Sequence, residues 1–316
     1  MKDIDLTICS VYHSIESKRL LELNYDFVRQ MNQGTSIKWI VADNTPRDFS
    51  GSIDEKKFTV VPGAQDTKPV PDWLVGSYRH SEAINNSLKF ITTRFVLFLD
   101  IDFYLVRKDW MEYVTSYMQA RNLGLFGVPW HPFHVSKIRY FPSHHALFVD
   151  LKKIPIASLD FRPEYDFIMH PTLMTRLARK MRKIKHAISK RMMIGMSPDT
   201  GFKLYRRFRS CAAFEYATPV FIPATDLCDI PESASVWEKI APDIISYIPK
   251  RTGYYTEHGF GSAGFADARG EHWEEFMWEG KPYGFHVRGT HKLKNDLEGG
   301  MGKIKIIMKG FGNGVL

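Results

Sequence analysis

Cysteine is scarce in this chain of 316 residues, which has three widely separated copies, Cys9, Cys211 and Cys228. This odd number fits neither a disulfide framework nor a paired-cysteine metal site, so we expect a reducing, cytoplasmic setting. No apolar run approaches the ~20 residues that a membrane-spanning helix needs. Acids near the amino terminus, ahead of a predicted strand, argue against a signal peptide.

Acidic residues are missing between Asp166 and Asp199, a segment that contains eight lysines and arginines. These eight equal the formal net charge of +8, so the basicity of the chain is local. Apolar residues recur every three or four positions in the segment, which predicts a basic amphipathic helix over 172–193. Residues 173–192 could bind the inner face of an anionic membrane, or they could bind an acidic partner. The alternative is a packed helix that presents a solvated basic face. We do not expect nucleic-acid binding, because the chain has no RNP, KH or zinc-finger motif.

The first part of the chain alternates predicted strands and helices. Strands are predicted at 5–11, 37–42, 57–61 and 94–99, and helices at 17–31 and 81–91. Further strands are predicted at 124–129 and 145–149, and loops at 62–76 and 250–270. Such alternation is typical of a doubly wound α/β fold. We therefore expect a mixed, mainly parallel sheet flanked by helices, in a single two-lobed domain.

An Asp-x-Asp pair follows the most apolar of these strands. Asp100 and Asp102 come directly after Phe95–Leu99, a run that predicts a strand buried on both faces. Ligands of open α/β sheets bind at the carboxyl ends of strands, and two acids placed there need a cation to offset their desolvation. A divalent metal carrying a phosphorylated ligand is the usual partner. The alternative is a polar strand end without function, as we expect for the second such pair, Asp3 and Asp5, which precedes its strand.

Six segments follow one another in an order that resembles a known family. They are Leu6–Tyr12, Val41–Thr45, Gly76–Asn86 with Phe95–Phe103, Leu123–Asp150, Pro198–Tyr205 and Phe285–Gly289. Together they resemble the GT-A-fold glycosyltransferases, most closely the inverting family 2 enzymes. The resemblance implies a Rossmann-like GT-A domain with a nucleotide-sugar-binding lobe, 1–105, and an acceptor-binding lobe, 106–290. Residues 291–316 would form a basic carboxyl-terminal tail.

The resemblance implies a nucleoside-diphosphate sugar as the donor. Ser10, Val11 and Tyr12 would line the nucleoside pocket, and His80 would join the donor site. Asp43 would accept a hydrogen bond from the base, although it could instead cap the turn that it begins.

A divalent cation, Mg²⁺ or Mn²⁺, is the cofactor that the resemblance implies. Asp102 would ligate it directly and His286 would be a further ligand. Asp100 would bind the ribose or a metal-bound water, or join the metal ligands. Histidines 131, 134, 144 and 145 form a rival cluster, but their spacing matches no zinc motif.

Inversion at the sugar needs one general base, and the resemblance assigns that role to Asp199. The alternative for Asp199 is a helix N-cap, a position at which aspartate is favoured. Glu164 and Asp166 are reserve candidates. Trp130, His144 and His145 would line the acceptor side.

These observations predict a metal-dependent inverting glycosyltransferase that acts on a glycan or lipid-linked acceptor. A nucleotidyltransferase is one alternative, since it also uses paired carboxylates and metal. Such an enzyme normally has a glycine-rich phosphate loop after its first strand, whereas residues 10–15 contain no glycine. A non-catalytic module that binds anionic surfaces or nucleic acid is the second alternative.

Overall fold

The computed structural model describes residues 4–45, 53–64, 74–130, 141–163, 199–217, 222–223, 255–256, 258–269, 273–287 and 296–312. The predicted basic helix at 172–193 lies outside these residues, as do His131, His134, Glu164 and Asp166. Among the helices that are described, none is both long and apolar enough to cross a bilayer.

The strands of the described residues fall mainly where apolar runs predict them. They are β1 (Leu6–Tyr12), β2 (Lys38–Asp43), β3 (Thr59–Pro62), β4 (Phe95–Leu99), β5 (Phe103–Leu105), β6 (Leu123–Gly127), β7 (Ala146–Asp150), β8 (Glu215–Ala217), β9 (Ile222–Pro223), β10 (Tyr255–Thr256), β11 (Glu274–Trp278) and β12 (Lys281–His286). The α-helices are α1 (Ile15–Met31), α2 (Val75–Ser87), α3 (Trp110–Ala120), α4 (Phe202–Phe208) and α5 (Leu297–Gly312).

Seven of the described strands form one large sheet in the order β3-β2-β1-β4-β7-β6-β8. β3, β2, β1 and β4 are mutually parallel, and β8 is parallel to β6, whereas β7 runs antiparallel to both of its neighbours. The predicted fold class, a mixed and mainly parallel sheet flanked by helices, is confirmed. The chain leaves β1 toward β2 and later returns to the other side of β1 as β4. The gap between the ends of β1 and β4 is therefore the topological switch point of the sheet.

Side chains of β4 alternate between two apolar cores, one on each face of the sheet. Phe95, Leu97 and Leu99 lie in the core that includes apolar residues of α1, α3 and α5. Val96 and Phe98 lie in the core that includes residues of α2 and α4. Burial on both faces explains why this strand has no polar alternation in its sequence. Its first polar side chain comes where it leaves the sheet, at Asp100.

A smaller antiparallel sheet, in the order β11-β12-β5, begins where the large sheet ends. The turn 100–102 joins β4 of the large sheet to β5 of the small one. The buried side chain of Asn24 on α1 fastens this turn, because its Nδ2 donates to the carbonyl oxygens of Phe103 at 2.9 Å and Ile101 at 3.3 Å. The backbone N–H of Val287 donates to the carbonyl of Asp102 at 2.9 Å and secures the other side.

The structure corrects several predicted bounds. The helix predicted at 81–91 begins at Val75 and ends at Ser87, and a turn of 3-10 helix follows over Leu88–Phe90. The predicted tail contains α5, which packs Ile304 and Ile307 into the core beside α1.

Within the predicted loop at 250–270, the described residues include a 3-10 turn, Gly261–Ala263. The carboxylate of Glu275 on β11 accepts the backbone N–H groups of Phe260 at 2.9 Å and Ala268 at 2.7 Å. The buried side chain of Glu275 thus holds residues 260 and 268, on either side of the 3-10 turn, by hydrogen bonds.

Candidate functional site

Neighbouring strands place polar side chains at one edge of the large sheet. The carboxyl ends of the parallel strands β1, β2 and β4 lead to Tyr12, Asp43 and Asp100. β7 runs antiparallel to β4, so the two histidines that precede it, His144 and His145, reach the same edge. The structure therefore brings together residues predicted for the donor side and for the acceptor side.

Asp100 is surrounded by imidazole rings. Its Oδ2 lies 2.6 Å from Nδ1 of His145, which donates because an ionised carboxylate can only accept. Its Oδ1 lies 3.5 Å from Nε2 of His80 on α2, and its Oδ2 lies 4.0 Å from Nε2 of His144. The ring of Trp130 meets those of His144 and His145 edge-on, with centroids 5.4 and 4.3 Å away. Trp130 thus closes one side of the cluster.

These neighbours keep Asp100 negatively charged although it is largely buried. Burial would raise the pKa of Asp100, but the hydrogen bond from His145 and the nearby imidazole of His80 hold it well below its usual range. Burial would lower the pKa of His80, but Asp100 outweighs that effect and raises it. His144 differs, because burial, helped by the charge of His145, lowers its pKa to about 3. His144 is therefore a neutral imidazole at neutral pH.

Asp102 faces the small sheet and meets His286. Nε2 of His286 lies 3.5 Å from Oδ1 of Asp102, while Nδ1 of the same ring donates to Glu274 at 2.9 Å. Glu274 and His286 are partners across the β11–β12 ladder, so the strand register fixes the ring. Burial would lower the pKa of His286, but Asp102 and Glu274 raise it well above its usual value.

The donor set of Asp102 and His286 fits a divalent cation. Two atoms bound ~2.1 Å from one ion lie roughly 3.0 to 3.4 Å apart, close to the 3.5 Å between Oδ1 of Asp102 and Nε2 of His286. Metal-ligating histidines generally bond a carboxylate through their other ring nitrogen, as His286 does with Glu274. Binding of a cation here would displace the Nε2 proton of His286.

A pocket of about 220 Å³ opens at the switch point beside the acid pair. Its lining carries the acids Glu16, Asp100 and Asp102 and the imidazoles of His13 and His80. An anionic ligand would be repelled by these carboxylates unless a cation accompanied it. Pockets for whole drug-sized ligands measure about 300–1,000 Å³, so this one accommodates a fragment of the size of a diphosphate with its cation.

The start of α1, which borders the pocket, is already closed by side chains. Ser14 is the N-cap residue, and its Oγ accepts from the backbone N–H of Ser17 at 3.2 Å. Oγ of Ser17 accepts in turn from the backbone N–H groups of Ser14 at 2.8 Å and His13 at 2.9 Å. These bonds engage the backbone N–H groups of His13, Ser14 and Ser17, whereas a glycine-rich phosphate loop leaves such groups open to the phosphate.

Ser10 is not brought to the pocket by its side chain. It is buried, its Oγ donates to the carbonyl of Leu99 at 2.7 Å, and it accepts from Nε1 of Trp39 at 3.1 Å. Val11, the next residue, does line the pocket. The role of Ser10 within the described residues is therefore to tie β1 to β4 directly below the switch point.

Asp43, at the end of β2, lies on the far side of β1 from Asp100 and is the strand partner of Tyr12 at the end of β1. Oδ1 of Asp43 accepts from the backbone N–H of Thr45 at 2.9 Å and from its hydroxyl at 2.6 Å, so this oxygen caps the turn. Burial raises the pKa of Tyr12, and a hydrogen bond with Asp43 adds to the rise. The turn-capping alternative for Asp43 is thus observed at one of its two carboxylate oxygens.

Asp199 lies in a turn that packs against α2 and the histidine cluster. Its charge acts to raise the pKa values of His80 and His144, which places it in their vicinity. Oγ1 of Thr200, the next residue, donates to the carbonyl of Ser77 on α2 at 3.2 Å. The N-cap of α4 is Gly201, not Asp199, so the helix-capping alternative is wrong.

Glu274 and Asn24 are site residues that the sequence analysis missed. Glu274 orients His286, and Asn24 fastens the turn that carries both aspartates. A signal for Glu274 was present, because two adjacent acids interrupt an otherwise apolar run from Trp273 to Trp278. No comparable signal marks Asn24, which is one polar residue on an amphipathic helix.

No protein-family model matches the chain, and neither does any curated protein. Several solved structures that match are glycosyltransferases. A mannosyltransferase from Pyrobaculum calidifontis, PcManGT, in complex with GDP-mannose and Mn²⁺, is 12% identical over 67% of this chain and 72% of its own, with a TM-score of 0.33. The galactosyltransferase LgtC, with donor and acceptor sugar analogues, is 14% identical over 68% and 73% of the two chains, with a TM-score of 0.36.

A third structure is a glycosyltransferase involved in glycosylation of the major capsid of PBCV-1. It is 13% identical over 79% of this chain and 96% of its own, with a TM-score of 0.33. Scores this low carry no argument about chemistry. The case for a function therefore rests on the residues of the site.

Proposed function

We propose that this protein is a metal-dependent, inverting glycosyltransferase that moves a sugar from a nucleoside-diphosphate donor to a hydroxyl of a glycan or lipid-linked acceptor. The observation that carries the proposal is the Asp102–His286–Glu274 array beside an acidic pocket at the switch point. The resemblance of the ordered sequence segments to the family 2 enzymes supports the same assignment.

On the donor side, the pocket has the charge and size to take a diphosphate together with Mg²⁺ or Mn²⁺. A bound divalent cation would offset the negative charge that grows on the diphosphate as it leaves. Asp102 and His286 would be its ligands, and Glu274 would orient the His286 ring. Asp100, which His145 fixes in place, faces the same pocket and would bind the ribose or a metal-bound water.

The nucleoside would extend from the pocket along the carboxyl edge of the sheet. Val11 lines the pocket, and Tyr12 and Asp43 follow it along that edge. One oxygen of Asp43 already accepts two hydrogen bonds from Thr45, so recognition of a base would use the other oxygen. His80 borders the pocket from α2.

On the acceptor side, Asp199 would act as the single base that inversion needs, since it lies near His80 and His144. The acceptor oxygen would form its bond to C1 of the sugar while the bond from C1 to the diphosphate breaks, and Asp199 would take the hydroxyl proton. Trp130 offers an aromatic ring next to His144 and His145, a surface suited to packing on a sugar ring.

The hydrogen bonds at the amino-terminal end of α1 argue against the nucleotidyltransferase alternative. The backbone N–H groups of His13 and Ser14 are engaged by Ser17, so they are not offered to a phosphate chain. A pure binding module is also a poor fit, because it would not need largely buried acids and imidazoles around a pocket.

Thermal unfolding in the presence of UDP or GDP, each with and without Mn²⁺, tests the donor assignment. We expect stabilisation only when one diphosphate and Mn²⁺ are both present, by about 2.7 kcal/mol at a ligand concentration one hundred times Kd. UMP and GMP are the matched controls, because they keep the base and ribose but lack the diphosphate. If no diphosphate stabilises the protein with the metal, or if it does so equally without the metal, the proposal is wrong.

A further inference from the structure

We propose that His80, Asp100 and His144 form a second cation centre, distinct from the Asp102–His286 pair, that selects a transition metal of the zinc class. Ligand atoms of these three residues all lie within 4.8 Å of one another. They come from three separate elements, α2, the end of β4 and the approach to β7. The proposed centre adjoins the donor-metal residues: a ligand atom of Asp100 lies within 4.8 Å of one of His286, and His80 lines the same pocket as Asp102. What separates it from the donor-side pair is its two imidazole ligands, His80 and His144.

The distance between His80 and Asp100 is the first argument. Nε2 of His80 lies 3.5 Å from Oδ1 of Asp100, well beyond the ~2.7–2.9 Å of a charge-assisted hydrogen bond. Two ligands held ~2.1 Å from one tetrahedral ion lie roughly 3.4 Å apart. The spacing thus matches two ligands of a common cation better than it matches a direct bond.

An unsatisfied buried atom is the second argument. Nε2 of His80 is buried and has no hydrogen-bond partner of acceptable geometry among the described residues. A buried polar atom without a partner costs free energy and calls for an explanation such as a missing ion. A cation between His80 and Asp100 would give Nε2 of His80 a partner. Nε2 of His144, which lies 4.0 Å from Oδ2 of Asp100, would be the third ligand.

The chemistry of the donor set gives the selectivity. Two imidazole nitrogens and one carboxylate oxygen suit Zn²⁺ and its neighbours in the first transition row, whereas Mg²⁺ prefers oxygen ligands alone. His145 holds Asp100 by its 2.6 Å bond, which is the kind of outer contact that orients a metal ligand. Zinc centres with three protein ligands keep a fourth position open. Because His80 and Asp100 both line the pocket, that position would face it.

Titration of metal-free protein with Co²⁺, a spectroscopic substitute for Zn²⁺, tests this centre without nucleotide or sugar. The starting protein is the full chain with Asp102→Asn, which disables the donor-side metal pair. We expect one equivalent of Co²⁺ to bind and to produce visible absorption bands, and Zn²⁺ to displace it while excess Mg²⁺ does not. Adding His80→Gln should weaken Co²⁺ binding at least about tenfold.

His258→Gln in the same Asp102→Asn background is the matched control and should leave Co²⁺ affinity unchanged. His80 is part exposed on a helix, so its replacement should not unfold the protein, and near-ultraviolet circular dichroism checks this. His144→Asn in the same background is a second variant that should also weaken Co²⁺ binding. The inference is overturned if Asp102→Asn alone abolishes Co²⁺ binding, since one shared centre would then suffice. It is equally overturned if His80→Gln leaves Co²⁺ affinity unchanged. The imidazoles would then serve only to offset the negative charge of Asp100.

Discussion

His145 and Asp100 are joined twice, through their side chains and through their backbones. Nδ1 of His145 lies 2.6 Å from Oδ2 of Asp100, and the backbone N–H of Asp100 donates to the carbonyl of His145 at 2.9 Å. This double link exists because β7 is antiparallel to β4, so the approach to one strand lies beside the exit from the other. The position of Asp100 is therefore set before any ligand arrives.

Replacing Asp102 with Asn should remove the stabilisation that a nucleoside diphosphate gives in the presence of Mn²⁺. The amide lacks the negative charge that the cation needs, so we expect affinity for the Mn²⁺–diphosphate pair to fall by at least about tenfold, measured by calorimetry. Asp5→Asn is the matched control, since Asp5 is exposed at the opposite end of the same sheet. Equal losses in both variants would count against a metal role for Asp102.

Replacing Asp199 with Asn should separate chemistry from donor binding. Loss of the general base should lower the transfer rate by about 10²–10⁴-fold, while Mn²⁺-dependent binding of the diphosphate stays as in the unaltered protein. Rates with a saturating donor and a panel of acceptor sugars measure the first effect, and calorimetry the second. An unchanged rate would move the base to Glu164 or Asp166.

Replacing Asn24 with Ala should loosen the turn that carries both aspartates. The change leaves the carbonyl groups of Ile101 and Phe103 without their buried donor, so we expect unfolding in urea to lose about 1–3 kcal/mol. It should also weaken Mn²⁺ binding, because the carboxylates lose their fixed separation. Asn86→Ala removes one hydrogen bond, to Gly63, and should reduce stability without a change in Mn²⁺ affinity. Unaltered Mn²⁺ affinity in both variants would show that the turn holds without Asn24.

Glu275 should make folding stability depend on pH. Burial raises the pKa of Glu275 to about 7, above its value in the unfolded chain, so the folded state favours the protonated form. Its contribution is then complete below about pH 4.5 and is lost as the pH rises to about 7, a change on the order of 3 kcal/mol. Urea unfolding of the unaltered protein and of Glu275→Gln, compared across this range, measures it. A difference between the two that stays constant with pH would contradict the expectation.

The parallel half of the large sheet was predictable because its strands are short apolar runs separated by helical periodicity. β4 is the clearest case, since burial on both faces removes all polar residues until Asp100. The small sheet was not predictable in the same way. β5 has only three residues, and its partner β12 begins far along the chain at Lys281. A pattern read within a short window of sequence therefore cannot predict that the two strands pair.

The sequence predicts which acids and which histidine, His286, belong to the candidate site. It does not predict which side chains of the site contact one another. Asp100 and Asp102 follow from the strand that precedes them, whereas His286 came from the resemblance alone. The contact of Glu274 with His286 depends on the register of a hairpin, which periodicity does not determine. Likewise, the approach of His145 to Asp100 depends on β7 being antiparallel, which its apolar sequence does not reveal.

The placement of His286 on β12 has a consequence for synthesis of the protein. As the ribosome extends the chain, Asp100 and Asp102 emerge long before the imidazole that Asp102 faces. Until β12 follows, the hydrogen-bonding edge of β5 toward that strand also stays open. A nascent chain released before residue 286 would thus carry both aspartates and yet lack the imidazole of the donor-side pair Asp102–His286, so prematurely terminated products should be inert in sugar transfer rather than partly active.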